Sequence, residues 1–196
     1  MLMQVLFNIH IEEDAGRFTT DDVTDHICKK LIFRHPHVFG NATADTSEEV
    51  LVNWDALKRQ EKGQQTTADA MDSVARSLPA LWRADKLQSK AAKASFEFAD
   101  VSGALDKLDK ETRELREAVE RGTNFFEELG DVLFAAVKVG RFVGVDPEDA
   151  LNATCEKFIA RFRSVERACA ARGAEMSSLP LDELTRLWNE AKQHDE

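Results

Sequence analysis

The chain has 196 residues and a mass of 22.0 kDa, enough to bury a core as one large domain or two small ones. Apolar residues make up 43% and charged residues 32%, a globular balance that argues against wholesale disorder. A formal net charge of −10 and a pI near 5.1 argue against a nucleic-acid partner or a membrane partner, and an anionic substrate would need bound cations or a local cluster of Lys and Arg.

Almost every periodic segment reads as helix. Residues 1–14 look like the end of an apolar helix, too short to cross a bilayer and without the basic leader and cleavage site of a signal peptide. The cytoplasm is therefore the expected location. Thr19, Thr20, Asp21 and Asp22 offer N-caps for a helix to about Phe33, which Pro36 stops. Ser47-Glu48-Glu49 opens another helix through Trp54 to about Glu61. Residues 62–75 are polar and small, and make the expected linker between a first domain, 1–61, and a second, 76–196. Leu78-Pro79 then starts a helix through Trp82, Leu87 and Ala91, and further helices are predicted at about 101–121, 124–143, 147–171 and 180–193. Pro147 and Pro180 sit near helix starts, where a missing N–H is harmless, and Gly144 and Gly173 fall just beyond helix ends. Cys28, Cys155 and Cys169 are odd in number, scattered and without CxxC spacing, which predicts reduced, packed thiols.

A repeat joins the two halves. Asp22, Cys28, Lys30 and Arg34 match Asp149, Cys155, Lys157 and Arg161 at one constant offset. Two amphipathic helices of similar composition could produce this, but a duplicated helical unit explains it better. The first copy has no carboxylates at the corresponding upstream positions.

Those carboxylates are the main chemical signal. In the segment 104–119 the row Ala104, Leu108, Glu111, Leu115, Ala118 follows helical spacing, with Glu111 inside the apolar line and Glu114 one turn on. In 125–142 the line Phe125, Leu129, Val132, Ala136, Val139 predicts a core-facing stripe. A second line on the same helix, Val132, Ala135, Val139, Phe142, is headed by Glu128, with Asp131 beside it and Glu127 turned to solvent. The turn at 121–124 is short, so the two helices are antiparallel neighbours and four carboxylates converge. Convergence needs protonation, pairing with Lys or Arg, or a hard divalent cation. All-oxygen donors suit Mg²⁺ or Mn²⁺. Solvated faces with routine ion pairs to Lys110, Arg113 and Arg116 are the plainer alternative. Lys157 and Arg161 share one flank of the next helix beside the row Leu151, Cys155, Phe158, Phe162, Val165, where they could clamp phosphate or simply neutralise Glu156 and Glu166.

Glu111-x-x-Glu114 followed by Glu128-x-x-Asp131 resembles the ExxE, spacer, ExxD signature of MazG-type nucleoside triphosphate pyrophosphohydrolases, in the all-α NTP pyrophosphatase group. EELGDVLFA, EKFIARF and VERACAARG are similar to MazG sequence beyond that signature. FRHPHVFG at 33–40 and SEEVLVNWDALKRQEK at 47–62 resemble the end of a MazG first domain and its connection. The resemblance implies an all-α helical bundle that dimerises, with an incomplete first domain lacking its acidic motif. It implies Mg²⁺-dependent hydrolysis of a (deoxy)nucleoside triphosphate to monophosphate and pyrophosphate. Glu111, Glu114, Glu128 and Asp131 would be the catalytic metal ligands and Lys157 and Arg161 would hold phosphates. Lys86 and Phe96 would line the nucleotide pocket, and Trp188 would either stack on the base or pack in the core with Leu184 and Leu187. Lys110, Lys138, Ser95 and Phe98 depart from the residues commoner in the family. A catalytically silent helical dimer, binding nucleotides or partners, is the alternative from a different class.

Overall fold

The computed structural model describes residues 2–40, 57, 61 and 63–193, and every regular element among them is helical. The helix expected over 47–61 falls largely outside the described residues.

The chain divides into two compact units, Met1–Ala70 and Met71–Glu196. In the first, α1 (Leu2–Asp14) packs on α2 (Thr20–Arg34), and α2 on the single turn α3 (Pro36–Phe39). A reciprocal cap opens α2, as its sequence predicts. The Asp22 N–H donates to Thr19 Oγ1 at 3.2 Å, and Asp22 Oδ2 accepts from the Thr19 N–H at 2.8 Å. The same device recurs at Thr66 and Asp69, which start the short helix α4 (Thr67–Asp72) inside the stretch expected to be an irregular linker. A local cap supplied what the composition of that stretch hid.

The second unit holds α5 (Ala80–Lys93), α6 (Val101–Arg121), α7 (Phe125–Phe142), α8 (Pro147–Ala171) and α9 (Leu181–Gln193), with a 3₁₀ turn at Met176–Ser178. Helices α6 and α7 form the most extensive pairing, joined by a three-residue turn, while α5 packs on α7 and α8, and α9 on α8. Asp146 caps α8 through the Glu148 and Asp149 N–H groups and also accepts from Trp82 Nε1 at 2.9 Å, tying α5 to the start of α8. Gly144 and Gly173 have φ of +69° and +65°, the left-handed values that end helices α7 and α8.

The structure sorts the predicted apolar lines. On α6, Ala104, Glu111 and Ala118 are fully buried, as the spacing requires. On α7, Ala135 and Val137 are buried, whereas Phe125 and Leu129 stay about half exposed. The stripe expected to face the core is thus exposed at its start, and Val137, 1% exposed, lies on neither predicted line. On α8, Val165 is buried but Leu151, Phe158 and Phe162 are exposed. Helical periodicity reports that a face is apolar, not which neighbour covers it. Likewise all three thiols are free, but only Cys169 is packed; Cys28 and Cys155 are exposed. Among the described residues no helix is long and apolar enough to cross a membrane.

Candidate active site

Glu111 is 1% exposed, an ionisable side chain in the middle of a buried helix face. Such a carboxylate needs compensation. Antiparallel pairing of α6 and α7 brings it to Glu128 and Asp131, and one carboxylate oxygen from each of the three lies within 4.8 Å of the others. Oxygens bound to one small divalent cation at roughly 2.1 Å stand on the order of 3–4 Å apart, so a modest inward movement of these groups would close on an ion. The donors are hard oxygen atoms, the chemistry a hard divalent cation takes. These three residues could hold a metal ion.

Glu114, the fourth expected ligand, stands one turn away, where it borders a small hollow of about 190 Å³ together with Glu128. It bonds Lys110 Nζ at 2.6 Å, which holds its carboxyl below the ordinary range. Glu128 shows the opposite behaviour. Burial, then the charges of Glu114, Glu127, Asp131 and Glu111, push its carboxyl up. Lys107, one turn before Glu111 on the same face, ion-pairs with it, and Lys110 lies 3.8 Å from it. Spacing alone could have found Lys107, because it is i−4 to the buried acid. The two compensations that the sequence left open, lysine pairing and a cation-binding set, therefore coexist at one place.

Two of these acids, Glu111 and Asp131, border a cavity of about 660 Å³. Helix α6 contributes Lys107 and Glu111, and α7 contributes Asp131, Phe134, Ala135 and Lys138. Leu87, Gln88 and Ala91 come from α5, and Ser95 to Phe98 from the turn after it. Asp131 and Lys138 are two turns apart on one helix face, on the order of 10 Å along the axis. Away from the acids the wall carries a second charged group that sequence reading did not assemble. Lys138 Nζ donates to Glu97 Oε1 at 2.8 Å, and Arg141 reaches Glu97 Oε2 at 3.3 Å and Asp85 Oδ1 at 3.6 Å. Burial raises the Glu97 carboxyl, but Lys138, the Phe98 N–H and Arg141 outweigh it and leave it lowered. Gln88, 2% exposed, donates its Nε2 to the Phe134 carbonyl at 2.7 Å.

Of the other residues singled out from sequence, Phe96 lines the cavity and is 79% exposed. Lys86 does not border it and lies 3.9 Å from Asp85. Lys157 and Arg161 lie on α8 away from the cavity wall. Trp188 packs beside the buried cluster Val165, Cys169 and Leu187, its ring 5.0 Å from that of Phe158. This is the core-packing alternative of its two readings.

Comparison with known proteins places the chain among its relatives. The family model for the MazG nucleotide pyrophosphohydrolase domain matches residues 1–39 and 95–165. Over its whole length the chain is 39% identical to the nucleoside triphosphate pyrophosphohydrolase of Escherichia coli K12, covering 76% of that protein. It is also 36% identical over its whole length to the nucleoside triphosphate pyrophosphohydrolase/pyrophosphatase MazG of Thermotoga maritima, covering 74%. A Bacillus subtilis protein, uncharacterized protein YabN, is 41% identical across 98% of the chain and 40% of its own length. The chain belongs to the MazG nucleotide pyrophosphohydrolase family.

Proposed function

We propose that the chain hydrolyses (deoxy)nucleoside triphosphates to the monophosphate and pyrophosphate, using Mg²⁺, with Mn²⁺ as a substitute. The observation that carries this reading is the meeting of Glu111, Glu128 and Asp131, two of which, Glu111 and Asp131, border a nucleotide-sized cavity. Family membership and the names of the relatives support it.

Glu111, Glu128 and Asp131, with Glu114 beside them, would hold the metal. When bound, the cation neutralises phosphate oxygens and the charge that develops on the leaving pyrophosphate. Lys107 and Lys110, now paired with Glu111 and Glu114, are positioned to turn to the phosphate chain once those acids are engaged. A carboxylate of this set takes the proton of the attacking water as the bond from the α-phosphorus to the bridging oxygen breaks. The cavity wall, with Phe96 at its rim, receives the nucleoside. Lys86, Lys157, Arg161 and Trp188 are not among the residues that line the cavity.

The second unit is the catalytic part in this reading, and residues 1–61 are a catalytically silent partial repeat. A homodimer is supported by the outward apolar residues of α7 and α8, among them Phe126, Leu129 and Phe158. The lysine-neutralised acids also suit a silent module that binds nucleotides without chemistry. Incubation with mixed nucleoside triphosphates and Mg²⁺, followed by ion-exchange separation, decides between the two. The expected result is monophosphate and pyrophosphate, lost on chelation and restored by Mg²⁺. Glu111→Gln and Glu128→Gln should each reduce the rate by about 100-fold or more while leaving helicity intact. Unchanged triphosphates at high protein concentration would establish the silent module.

A further inference from the structure

The cavity has two polar ends, and only the acidic one is used by the hydrolysis proposed above. The other is built from Lys138 and Glu97. The Lys138 and Glu97 side chains are only 13% and 22% exposed, yet both border the cavity. Lys138 uses one N–H on Glu97, its one ion-pair partner among the described residues, and an ammonium has three to give. Glu97 accepts from Arg141 on Oε2 and from the Phe98 N–H at 3.2 Å on Oε1, the oxygen that Lys138 also uses, which leaves accepting capacity on Oε2. The pair thus shows the cavity a donor and an acceptor side by side in a set order.

Resting on the reading that phosphate lies at the Glu111–Asp131 end, we propose that Lys138 and Glu97 read the base edge and make the site selective for keto bases over amino bases. In guanine, hypoxanthine, uracil and thymine the edge is O=C–N–H. The carbonyl accepts from Lys138 Nζ, and the adjacent N–H donates to the Glu97 carboxylate. In adenine and cytosine the corresponding edge is H₂N–C=N. In the same placement its amino group faces the ammonium and its ring nitrogen faces the carboxylate, so both contacts are repulsive.

The test uses the intact chain with Mg²⁺ and two isosteric pairs that differ only in this edge, ITP with ATP and UTP with CTP. The expected kcat/KM ratio, from pyrophosphate release, is on the order of 10- to 100-fold in favour of the keto member of each pair. Lys138→Met and Glu97→Gln should each bring both ratios toward one. A purely structural role for the ion pair would slow both members equally and leave the ratios unchanged, which overturns the proposal. Ratios within about twofold of one in the unaltered chain also overturn it, while continued pyrophosphate release leaves the hydrolysis reading standing. Should no nucleotide be hydrolysed, that reading falls, and equilibrium dialysis of ITP against ATP with Ca²⁺ still decides the question of the base. Preferential retention of ITP supports the proposal, and equal retention overturns it.

Discussion

Glu128 is the residue at which stability and function pull apart. Its carboxyl is held above the ordinary range by burial and by four neighbouring acids. A carboxyl that binds its proton more tightly in the folded chain than in the unfolded one adds stability at low pH. That contribution is lost as pH rises through the folded value. The window opens near the ordinary value of 4.5 and extends upward from there. The metal-free chain should therefore lose melting temperature as pH rises above the ordinary value of 4.5, and Glu128→Gln should flatten that part of the profile. The same variant should melt higher than the parent at neutral pH while losing hydrolysis. Circular dichroism melts with and without Mg²⁺ read all of this, and an unchanged slope in the variant would remove Glu128 as the cause. The acid itself was legible in the sequence, because a Glu within an apolar helical row is conspicuous. Its ionic surroundings were only half legible: Lys110 could be seen one turn from Glu114, but Lys107 drew no notice until Glu111 was found buried against it.

At the scale of elements, helix limits were largely written in local chemistry. The caps Thr19, Asp100 and Asp146, and the left-handed Gly122, Gly144 and Gly173, fall where short-range rules put them. What the chain text could not convey was facing. Helix α7 carries two apolar lines, yet its two buried residues are Ala135, on one of them, and Val137, on neither. The cavity was also out of reach, since it needs α5, α6, α7 and the turn at Ser95–Phe98 to meet. Gly103 shows how tight that meeting is: a Cβ there would stand 3.1 Å from the Phe98 ring. The pairing of α8 with α9 has its own test. Leu187 is 2% exposed in a cluster with Val165 and Cys169, so Leu187→Ala should cost about 3 kcal/mol in urea unfolding. A loss below about 1 kcal/mol would mean that α9 is not part of the cooperative core.

For the molecule as a whole, the outward apolar rows of the second unit call for a cover. Phe126 is 96% exposed and Val119 61% exposed, and both lie close to the α6–α7 turn. Sedimentation should give twice the chain mass, and Phe126→Asp should shift the population toward the single chain; a monomer at all concentrations would leave these rows without a role. The bend that carries Phe96, Glu97 and Phe98 to the cavity rim begins at Ser95, a residue other than glycine at φ +62°. A side chain disfavours that conformation, so the bend is not set by its own residue. It stands because Phe98 is seated on Gly103 and Glu97 is gripped from α7, much as an arch is kept up by its abutments. The shape of the doorway is thereby delegated to helices far along the chain, and a change behind either abutment will be felt first at the entrance.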